Sequence, residues 1–267
     1  MTNFNDVVSQ FRIEGTVESV SPIGNGLINE TLRVKTVDAN TPDYILQRIN
    51  NAIFTDVDLL QHNIELVTDH IRHKLMEKDE TDIERKCLRF VQAKDGKTYY
   101  KDADNLYWRV SVFIPNAVTK EEVTPESAFC CGETFGNFQN MLVDLKEPLG
   151  ETIPDFHNME LRLRQLREAV SADKAGRVAS VKDILAELER DADEMCLAER
   201  LYREGALPKR ICHCDTKVNN MMFDKDGKVL CVIDLDTVMP SFIFSDYGDF
   251  LRTGANHVAE DLSLIHI

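Results

Sequence analysis

The chain contains the stretch His213-Cys-Asp-Thr-Lys-Val-Asn-Asn220, which is followed by Ile233-Asp-Leu-Asp236. The first stretch places a carboxylate at Asp215, a cation two residues later at Lys217, and a side-chain amide at Asn220. The second stretch adds two more carboxylates. Carboxylates, an amide and a lysine at such short spacing are typical of a polar site and not of a structural core.

The segment between the two stretches predicts a β-hairpin. Met221-Met-Phe223 and Lys228–Ile233 are apolar runs of strand length, and the turn Asp224-Lys-Asp-Gly227 separates them. Glycine supplies the positive φ that such a turn requires. The hairpin is therefore expected to return Asp234 to the side of Asn220, where both could bind one ion.

This set of groups matches the needs of phosphoryl transfer. That reaction needs a carboxylate beside the acceptor hydroxyl, oxygen ligands for Mg²⁺, and a cation near the transferred group. The first stretch resembles the HRDxKxxN loop of protein kinases. On that resemblance, Asp215 is the catalytic base, Lys217 offsets the charge of the transferred group, and Mg²⁺ is held by Asn220 and Asp234.

Three further residues are predicted to support this site. His213 is expected to brace the loop, and Asp236 either to hold the loop or to assist a second metal ion. A third motif, Asp246-Tyr-Gly-Asp249, follows, and Asp249 is expected to accept backbone amides of the loop.

The order of the three motifs resembles that of aminoglycoside phosphotransferases and choline kinases, and no Ala-Pro-Glu motif of protein kinases follows them. Within that superfamily the chain most closely resembles bacterial N-acetylhexosamine 1-kinases. The matching stretches are Gly24–Thr31, Tyr44–Asn50, Asn63–Thr68, Trp108–Val110, Phe135–Gln139, Glu151–His157, Asp173–Arg177, Asp234–Pro240 and Asp246–Arg252.

The resemblance implies an α+β, two-lobed protein-kinase-like fold. Residues 1–115 would form a small β-rich nucleotide-binding lobe, and residues 116–267 a larger helical catalytic lobe. ATP and Mg²⁺ would be the cofactors, and a free N-acetylhexosamine would be phosphorylated at its anomeric hydroxyl. Because related kinases continue with several more helices that wall the acceptor pocket, the chain is expected to be C-terminally truncated and this lobe incomplete.

The nucleotide phosphates are expected near a glycine turn between two strands. Thr16–Val20 and Glu30–Val34 alternate as strands do, and Gly24-Asn-Gly26 separates them. A glycine turn lets backbone amides approach phosphate oxygens. By resemblance, Gly24 and Gly26 cover the phosphates, and Asn29 and Thr31 add polar contacts.

The third strand, Tyr44–Ile49, stands where kinases carry a phosphate-anchoring lysine, and it has none. Gln47 and Arg48 lie on opposite faces of a strand. Aligning Tyr-Ile-Leu-Gln with the kinase Val-Ala-Ile-Lys directs Gln47 into the cleft. A shift of one residue directs Arg48 there, as choline kinases use arginine. The sequence leaves both alternatives open.

Further elements fit the two-lobed arrangement. Asp56–Met76 has the apolar spacing of a helix, and Leu106–Ile114 reads as a buried strand that leads to a hinge, so Phe113 and Ile114 are expected near adenine. Residues 171–203 are predicted to form one or two amphipathic helices.

Composition limits the class of protein. The chain has 267 residues, 43% of them hydrophobic, and a net charge of −15. The acidic balance argues against nucleic-acid and anionic-membrane partners. The seven cysteines lack zinc-type spacing and suit a reducing cytoplasm. The sequence gives no indication of oligomeric state.

Other acceptors and an inactive protein are alternatives. The acceptor could be homoserine, choline or an aminoglycoside, although a choline site would need several aromatic side chains and Trp108 is the single tryptophan. The missing lysine and missing helices would also fit a protein that binds nucleotide without turnover.

Overall fold

The computed structural model describes residues 3–23 and 29–254. Its first part is one antiparallel sheet with three helices. The strands are β1 (Val17–Pro22), β2 (Glu30–Thr36), β3 (Tyr44–Ile49), β4 (Phe90–Val91), β5 (Tyr100–Lys101) and β6 (Tyr107–Val112). The helices are α1 (Phe4–Val8), α2 (Val57–Glu77) and α3 (Ile83–Lys86). The strand order is β1-β2-β3-β6-β4, and β5 also pairs with β6.

The two faces of this sheet differ in character because neighbouring side chains on a strand point to opposite sides. One face is apolar and packs against α1; its buried side chains are Leu32, Val34, Tyr44, Leu46, Trp108 and Val110. The opposite face carries polar residues, among them Gln47 and Arg109 on paired positions of β3 and β6. The polar face is where a ligand can meet charged groups.

Helix α2 connects the sheet to the rest of the chain. Asp56 caps its first turn by accepting a hydrogen bond from the amide of Leu59 at 2.9 Å. Its buried face includes Leu60 and Ile64, which share one hydrophobic core with residues of the sheet and of the later helices. The predicted helix at residues 56–76 is confirmed at 57–77.

The second part is mainly helical. The helices are α4 (Pro125–Met141), α5 (Met159–Ala172), α6 (Lys182–Met195), α7 (Leu197–Arg203) and α8 (Ile243–Gly254). The strands are β7 (Arg210–Cys212), β8 (Met221–Phe223), β9 (Val229–Val232) and β10 (Met239–Ser241). They form two antiparallel pairs, β7 with β10 and β8 with β9. An antiparallel sheet followed by helices confirms the predicted α+β fold class.

The helices predicted within residues 171–203 are present as α6 and α7, but the segment before them differs from the prediction. A helix ends at Ala172 instead of beginning near Ser171, because Asp173 adopts a left-handed conformation with φ of 33°. Helix α5, which contains no buried residue, was not predicted. Helix α1 was also missed, since its five residues give too short a pattern. Within the described part of the chain, no helix is both long and apolar enough to span a bilayer.

Candidate active site

The hairpin of β8 and β9 brings together the two predicted metal ligands, Asn220 just before β8 and Asp234 shortly after β9. Met221 pairs with Val232, and the amide of Ile233 donates to the carbonyl of Asn220 at 2.9 Å. Asp234 therefore follows immediately after a residue that is bonded to Asn220. Gly227 has a φ of +81° in the connecting turn, as the sequence predicted.

Asp215 is held by the two other residues of its loop. Its carboxylate lies 3.1 Å from the ammonium of Lys217, and its Oδ2 accepts a hydrogen bond from Nδ2 of Asn220 at 3.0 Å. The same nitrogen of Asn220 donates to the main-chain carbonyl of Asp215 at 2.8 Å. The Asn220 amide nitrogen is thus turned towards Asp215, which leaves the amide oxygen to face another group.

His213 joins the loop to the hairpin. The fully buried ring accepts a hydrogen bond at Nδ1 from the amide of Asp215 at 3.3 Å and donates from Nε2 to the carbonyl of Ile233 at 3.0 Å. These partners assign the tautomer with hydrogen on Nε2. The rings of Phe135 and Phe138 meet the imidazole edge-on, at 5.2 and 5.7 Å between centroids.

Two carboxylates of α8 hold the backbone of the loop. Asp246 accepts from the amides of His213 at 3.0 Å and Cys214 at 2.8 Å. Asp249 accepts from the amide of Thr216 at 2.6 Å. The loop needs this support because Cys214 has a φ of +63°, which is unfavourable for a residue with a side chain.

The sequence singled out Asp249 but not Asp246, which holds two backbone amides of the loop where Asp249 holds one. Asp246 is buried, and it also accepts a hydrogen bond from Nε2 of Gln139 at 2.6 Å. The available signal was the spacing of the two aspartates, because residues three apart lie on one face of a helix.

Asp234 lies among other carboxylates. Burial among protein atoms, followed by the charges of Asp236 and Asp215, raises the pKa of Asp234 to about 7, while Arg109 and Lys217 act in the opposite direction. Protein atoms crowd around Asp234 although solvent still reaches its side chain, and the charges of Asp236 and Asp215 add repulsion to the effect of that crowding. A divalent cation would relieve that repulsion.

The residues present fit magnesium. Mg²⁺ is usually held by one or two carboxylates, together with substrate phosphates and water, and not by a cage of protein ligands. Asn220 and Asp234 supply one amide oxygen and one carboxylate. Within residues 3–23 and 29–254, no group of three or more His, Cys, Asp or Glu side chains is arranged to hold a metal, so the remaining ligands would come from phosphates and water.

Asp236 is engaged by groups from the sheet. Its Oδ2 accepts from Nδ2 of Asn29 at 2.6 Å, and its Oδ1 pairs with Nη1 of Arg109. The hydroxyl of Thr152 donates to its main-chain carbonyl at 2.8 Å. Because both carboxylate oxygens bind protein groups, this geometry favours holding the site together over binding a second metal.

The structure separates Gln47 from Arg48. Gln47 donates from Nε2 to the hydroxyl of Thr31 at 3.3 Å and accepts at Oε1 from Nε of Arg109 at 3.0 Å. Arg48 lies on the other side of the strand and pairs with Glu30 at 2.9 Å, with 43% of each side chain exposed. Gln47 therefore lies on the same face of the sheet as Arg109, and which of Gln47 and Arg48 meets a nucleotide stays a prediction.

Arg109 was not singled out from the sequence. It lies opposite Gln47 in the register of β3 and β6, and its side chain is only 3% exposed. A charged residue inside the apolar strand Tyr107–Val112 was the signal that could have identified it, since a buried charge requires a partner.

These contacts form what we call the cleft ring, a cycle of hydrogen bonds that includes three predicted nucleotide residues. Besides the bonds above, the hydroxyl of Thr31 lies 3.5 Å from the carbonyl of Asn29, which closes the cycle. Its members are Asn29, Thr31, Gln47, Arg109 and Asp236. Gly24 and Gly26 lie outside the described residues, so their predicted phosphate contacts stay predictions.

The predicted adenine residues lie directly after β6. Ile114 is buried, and the ring of Phe113 packs beneath the guanidinium of Arg33 at 4.2 Å. The amide of Phe113 donates to the carbonyl of Asp43 at 2.9 Å, which fixes this segment against β3. Contact of Phe113 or Ile114 with adenine stays a prediction.

Structures with the same fold are known among phosphotransferases. An aminoglycoside phosphotransferase from Alicyclobacillus acidocaldarius matches with a TM-score of 0.58 and 19% identity, covering 95% of this chain and 71% of that one. A spectinomycin phosphotransferase solved with ADP and spectinomycin matches with a TM-score of 0.57 and 13% identity, covering 98% and 82%. An ethanolamine kinase from Plasmodium vivax gives 0.52 and 16%, covering 95% and 64%.

At these identities the similarity establishes the fold, and the predicted kinase-like architecture is confirmed. The family assignment rests on the sequence. The pattern that defines the phosphotransferase enzyme family matches residues 19–263, which include the hairpin, the loop around Asp215 and the strands of the cleft ring. The chain therefore belongs to the phosphotransferase enzyme family.

Proposed function

We propose that this protein is an ATP-dependent small-molecule kinase that phosphorylates the anomeric hydroxyl of a free N-acetylhexosamine. The observation that carries the proposal is the arrangement of Asp215, Asn220 and Asp234. One hydrogen-bonded loop presents the carboxylate of Asp215 and the amide of Asn220, and the hairpin returns Asp234 to the side of Asn220. Membership of a phosphotransferase family supports the same chemistry.

In the proposed mechanism Asp215 orients the acceptor hydroxyl and accepts its proton. The bond from Asn220 fixes the carboxylate, and the adjacent Lys217 is placed to offset charge on the transferred group. Asn220 and Asp234 would hold Mg²⁺, which when bound neutralises phosphate charge. Most of the rate acceleration then comes from positioning and electrostatics, because phosphoryl transfer requires little covalent chemistry from the protein.

The nucleotide would lie between the cleft ring and the hairpin. Asn29, Thr31 and Gln47 face this region, and Phe113 and Ile114 follow β6 at the expected hinge. We also propose that the lobes meet after residue 115.

The sugar assignment rests on the flanking stretches that resemble N-acetylhexosamine 1-kinases. One structural observation weighs against choline. Trp108 is 1% exposed, donates from Nε1 to Asp102 at 2.8 Å, and packs with Phe4 on the apolar face of the sheet. The single tryptophan therefore has no open ring face in the cleft for a quaternary ammonium.

Two features support the proposed setting. All seven cysteines are unpaired thiols, which suits a reducing cytoplasm. The net charge of −15 disfavours nucleic-acid partners, so we propose only ATP and a small-molecule acceptor as ligands.

A screen of ADP release tests the proposal. Purified protein with ATP and Mg²⁺ would be offered N-acetylglucosamine, N-acetylgalactosamine, glucose, homoserine, choline and kanamycin. We expect turnover with an N-acetylhexosamine and a sugar 1-phosphate as product by ³¹P NMR. Turnover confined to another acceptor would refute the sugar assignment, and ADP binding without turnover of any acceptor would favour an inactive nucleotide-binding protein.

A further inference from the structure

The proposed nucleotide site lacks a cation on the strand where kinases carry one. Gln47 occupies the cleft position of β3, and Arg48 lies on the opposite face in an exposed pair with Glu30. A bound nucleoside triphosphate would nevertheless bring several negative charges into this cleft. Lys217, on the catalytic loop, is paired with Asp215.

Arg109 lies beside Gln47, the residue of β3 at the position where kinases carry a lysine. It is the direct cross-strand partner of Gln47, and Nε of Arg109 donates to the side chain of Gln47 at 3.0 Å. Directly opposed side chains on one face of a sheet have Cβ atoms about 4.5–5.5 Å apart. A guanidinium on β6 can therefore reach the region that a lysine ammonium on β3 would occupy.

The guanidinium is oriented by its two partners. Nε bonds Gln47 and Nη1 pairs with Asp236, whereas Nη2 makes no hydrogen bond to any residue in the described ranges. An arginine has five donors in a planar fork, and two held nitrogens fix the direction of the third. The remaining nitrogen is free to bind an anion with little loss of side-chain freedom.

We propose that Arg109 contacts the phosphates of the bound nucleotide and supplies the cation that kinases place on the third strand. This inference rests on the proposed nucleotide site and goes beyond it, because it transfers the phosphate anchor from β3 to β6. Gln47 and Asp236 are positioning residues that hold the guanidinium. The hydrogen bonds of the cleft ring would then hold the Arg109 guanidinium in the orientation that contacts the phosphates.

The competing explanation is that Arg109 only fastens the sheet to Asp236. Removing one member of a buried ion pair leaves an unpaired charge and destabilises the fold strongly, so Arg109→Met alone would not separate the two explanations. Removing both members avoids that penalty. The informative comparison is therefore made in an Asp236→Asn background, where the amide oxygen can still accept from Arg109 and Arg109→Met removes an unpaired charge instead of creating one.

The experiment measures ADP and adenosine affinity by calorimetry in Asp236→Asn, Arg109→Met/Asp236→Asn and Arg109→Lys/Asp236→Asn proteins. Because charge-assisted hydrogen bonds are the strong ones, we expect the Met double variant to bind ADP about 10- to 100-fold more weakly than Asp236→Asn does. Adenosine affinity should be equal in both. The Lys variant should recover part of the ADP affinity, because it restores the charge.

Lys35→Met in the same background is the matched control, since it removes a cation from an exposed position of β2. It should leave ADP affinity unchanged. Equal ADP affinity in the Met double variant and in Asp236→Asn would overturn the proposal, as would an equal loss for adenosine. Loss of ADP binding specific to Arg109 in a protein that turns over no acceptor would refute the proposed kinase activity alone and would leave the phosphate contact standing.

Discussion

The loop around Asp215 and the polar face of the sheet both bring charged and polar side chains together, but they do so with different architectures. In the loop, Asp215, Lys217 and Asn220 lie within six consecutive residues and contact one another directly. On the sheet, Gln47 and Arg109 are 62 residues apart in sequence and meet only through strand pairing. In a loop motif the spacing of residues in the sequence decides which side chains meet. In a sheet, a side chain on the neighbouring strand can take the same place.

This difference affects how each region tolerates change. Hydrogen bonds from His213, Asp246 and Asp249 hold the backbone of the loop, and this fixes the positions of its polar side chains. The cleft ring is a closed cycle in which each side chain orients the next. We expect loop substitutions to change turnover most, and ring substitutions to change nucleotide affinity most.

The largest effect is expected for Asp215→Asn. The variant keeps an oxygen that can accept from Asn220, so the loop should persist while the proton acceptor is lost. We expect kcat to fall by a factor of about 10²–10⁴ and ADP affinity to stay within a few-fold. Steady-state ADP release and calorimetry measure the two. Asp226→Asn, on the exposed hairpin turn, is the control. Near-normal kcat in Asp215→Asn would remove this residue from the mechanism.

The next effect concerns the metal. Asp234 has a left-handed backbone with φ of 58°, which asparagine tolerates, so Asp234→Asn tests the charge with little added strain. We expect Mg²⁺ to strengthen ADP binding to the natural protein and to have little effect on the variant. Calorimetry with Mg²⁺ and with EDTA measures this difference. An equal response to Mg²⁺ in the two proteins would contradict the assignment.

The same site predicts a pH dependence. Burial and neighbouring carboxylates raise the pKa of Asp234 to about 7, so below that pH a proton occupies the group that would bind Mg²⁺. The gain in ADP affinity from Mg²⁺ should therefore grow as pH rises from 6 to 8. Asp234→Asn should lack this slope. A flat profile in the natural protein would mean that the carboxyl is already ionised at pH 6.

Asp246→Ala should reduce stability more than Asp249→Ala does. The first change removes the acceptor of two loop amides and of Gln139. The second removes the acceptor of the amide of Thr216 and an ion pair with Arg252, whose side chain is half exposed. Each buried donor left without a partner costs about 1–3 kcal/mol, so we expect a loss of about 3 kcal/mol or more for Asp246→Ala. Urea denaturation followed by Trp108 fluorescence measures it. Asp193→Ala, exposed on α6, is the control, and equal stability of Asp246→Ala and that control would refute the support role.

The sequence was most informative about elements whose contacts join residues close together in the chain. The hairpin from Met221 to Val232, the strand Tyr44–Ile49 and helix α2 were all identified, because turn residues and periodicity act over a few positions. Arg109 was missed although its charge stands out in an apolar strand, because its contact with Gln47 is visible only when β3 and β6 are paired. Asp246 was missed for a similar reason, as its partners lie 32 and 33 residues earlier.

The smallest change in ADP affinity is expected for Arg48→Gln. Comparing it with a substitution of Gln47 tests which face of β3 meets the nucleotide. Arg48 pairs with Glu30 on the exposed side, and exposed ion pairs contribute about 0–1 kcal/mol. Arg48→Gln should therefore leave ADP affinity unchanged and shift the free energy of unfolding by less than about 1 kcal/mol.

Gln47→Leu is the matched comparison at the neighbouring position. It removes the acceptor of the Arg109 Nε and the donor to Thr31, so the guanidinium loses one of the contacts that orient it. We expect ADP affinity to fall several-fold in Gln47→Leu and adenosine affinity to stay the same, both measured by calorimetry. If Arg48→Gln weakened ADP binding and Gln47→Leu did not, the phosphates would lie on the opposite face of the strand, and the cleft ring would have no part in binding them.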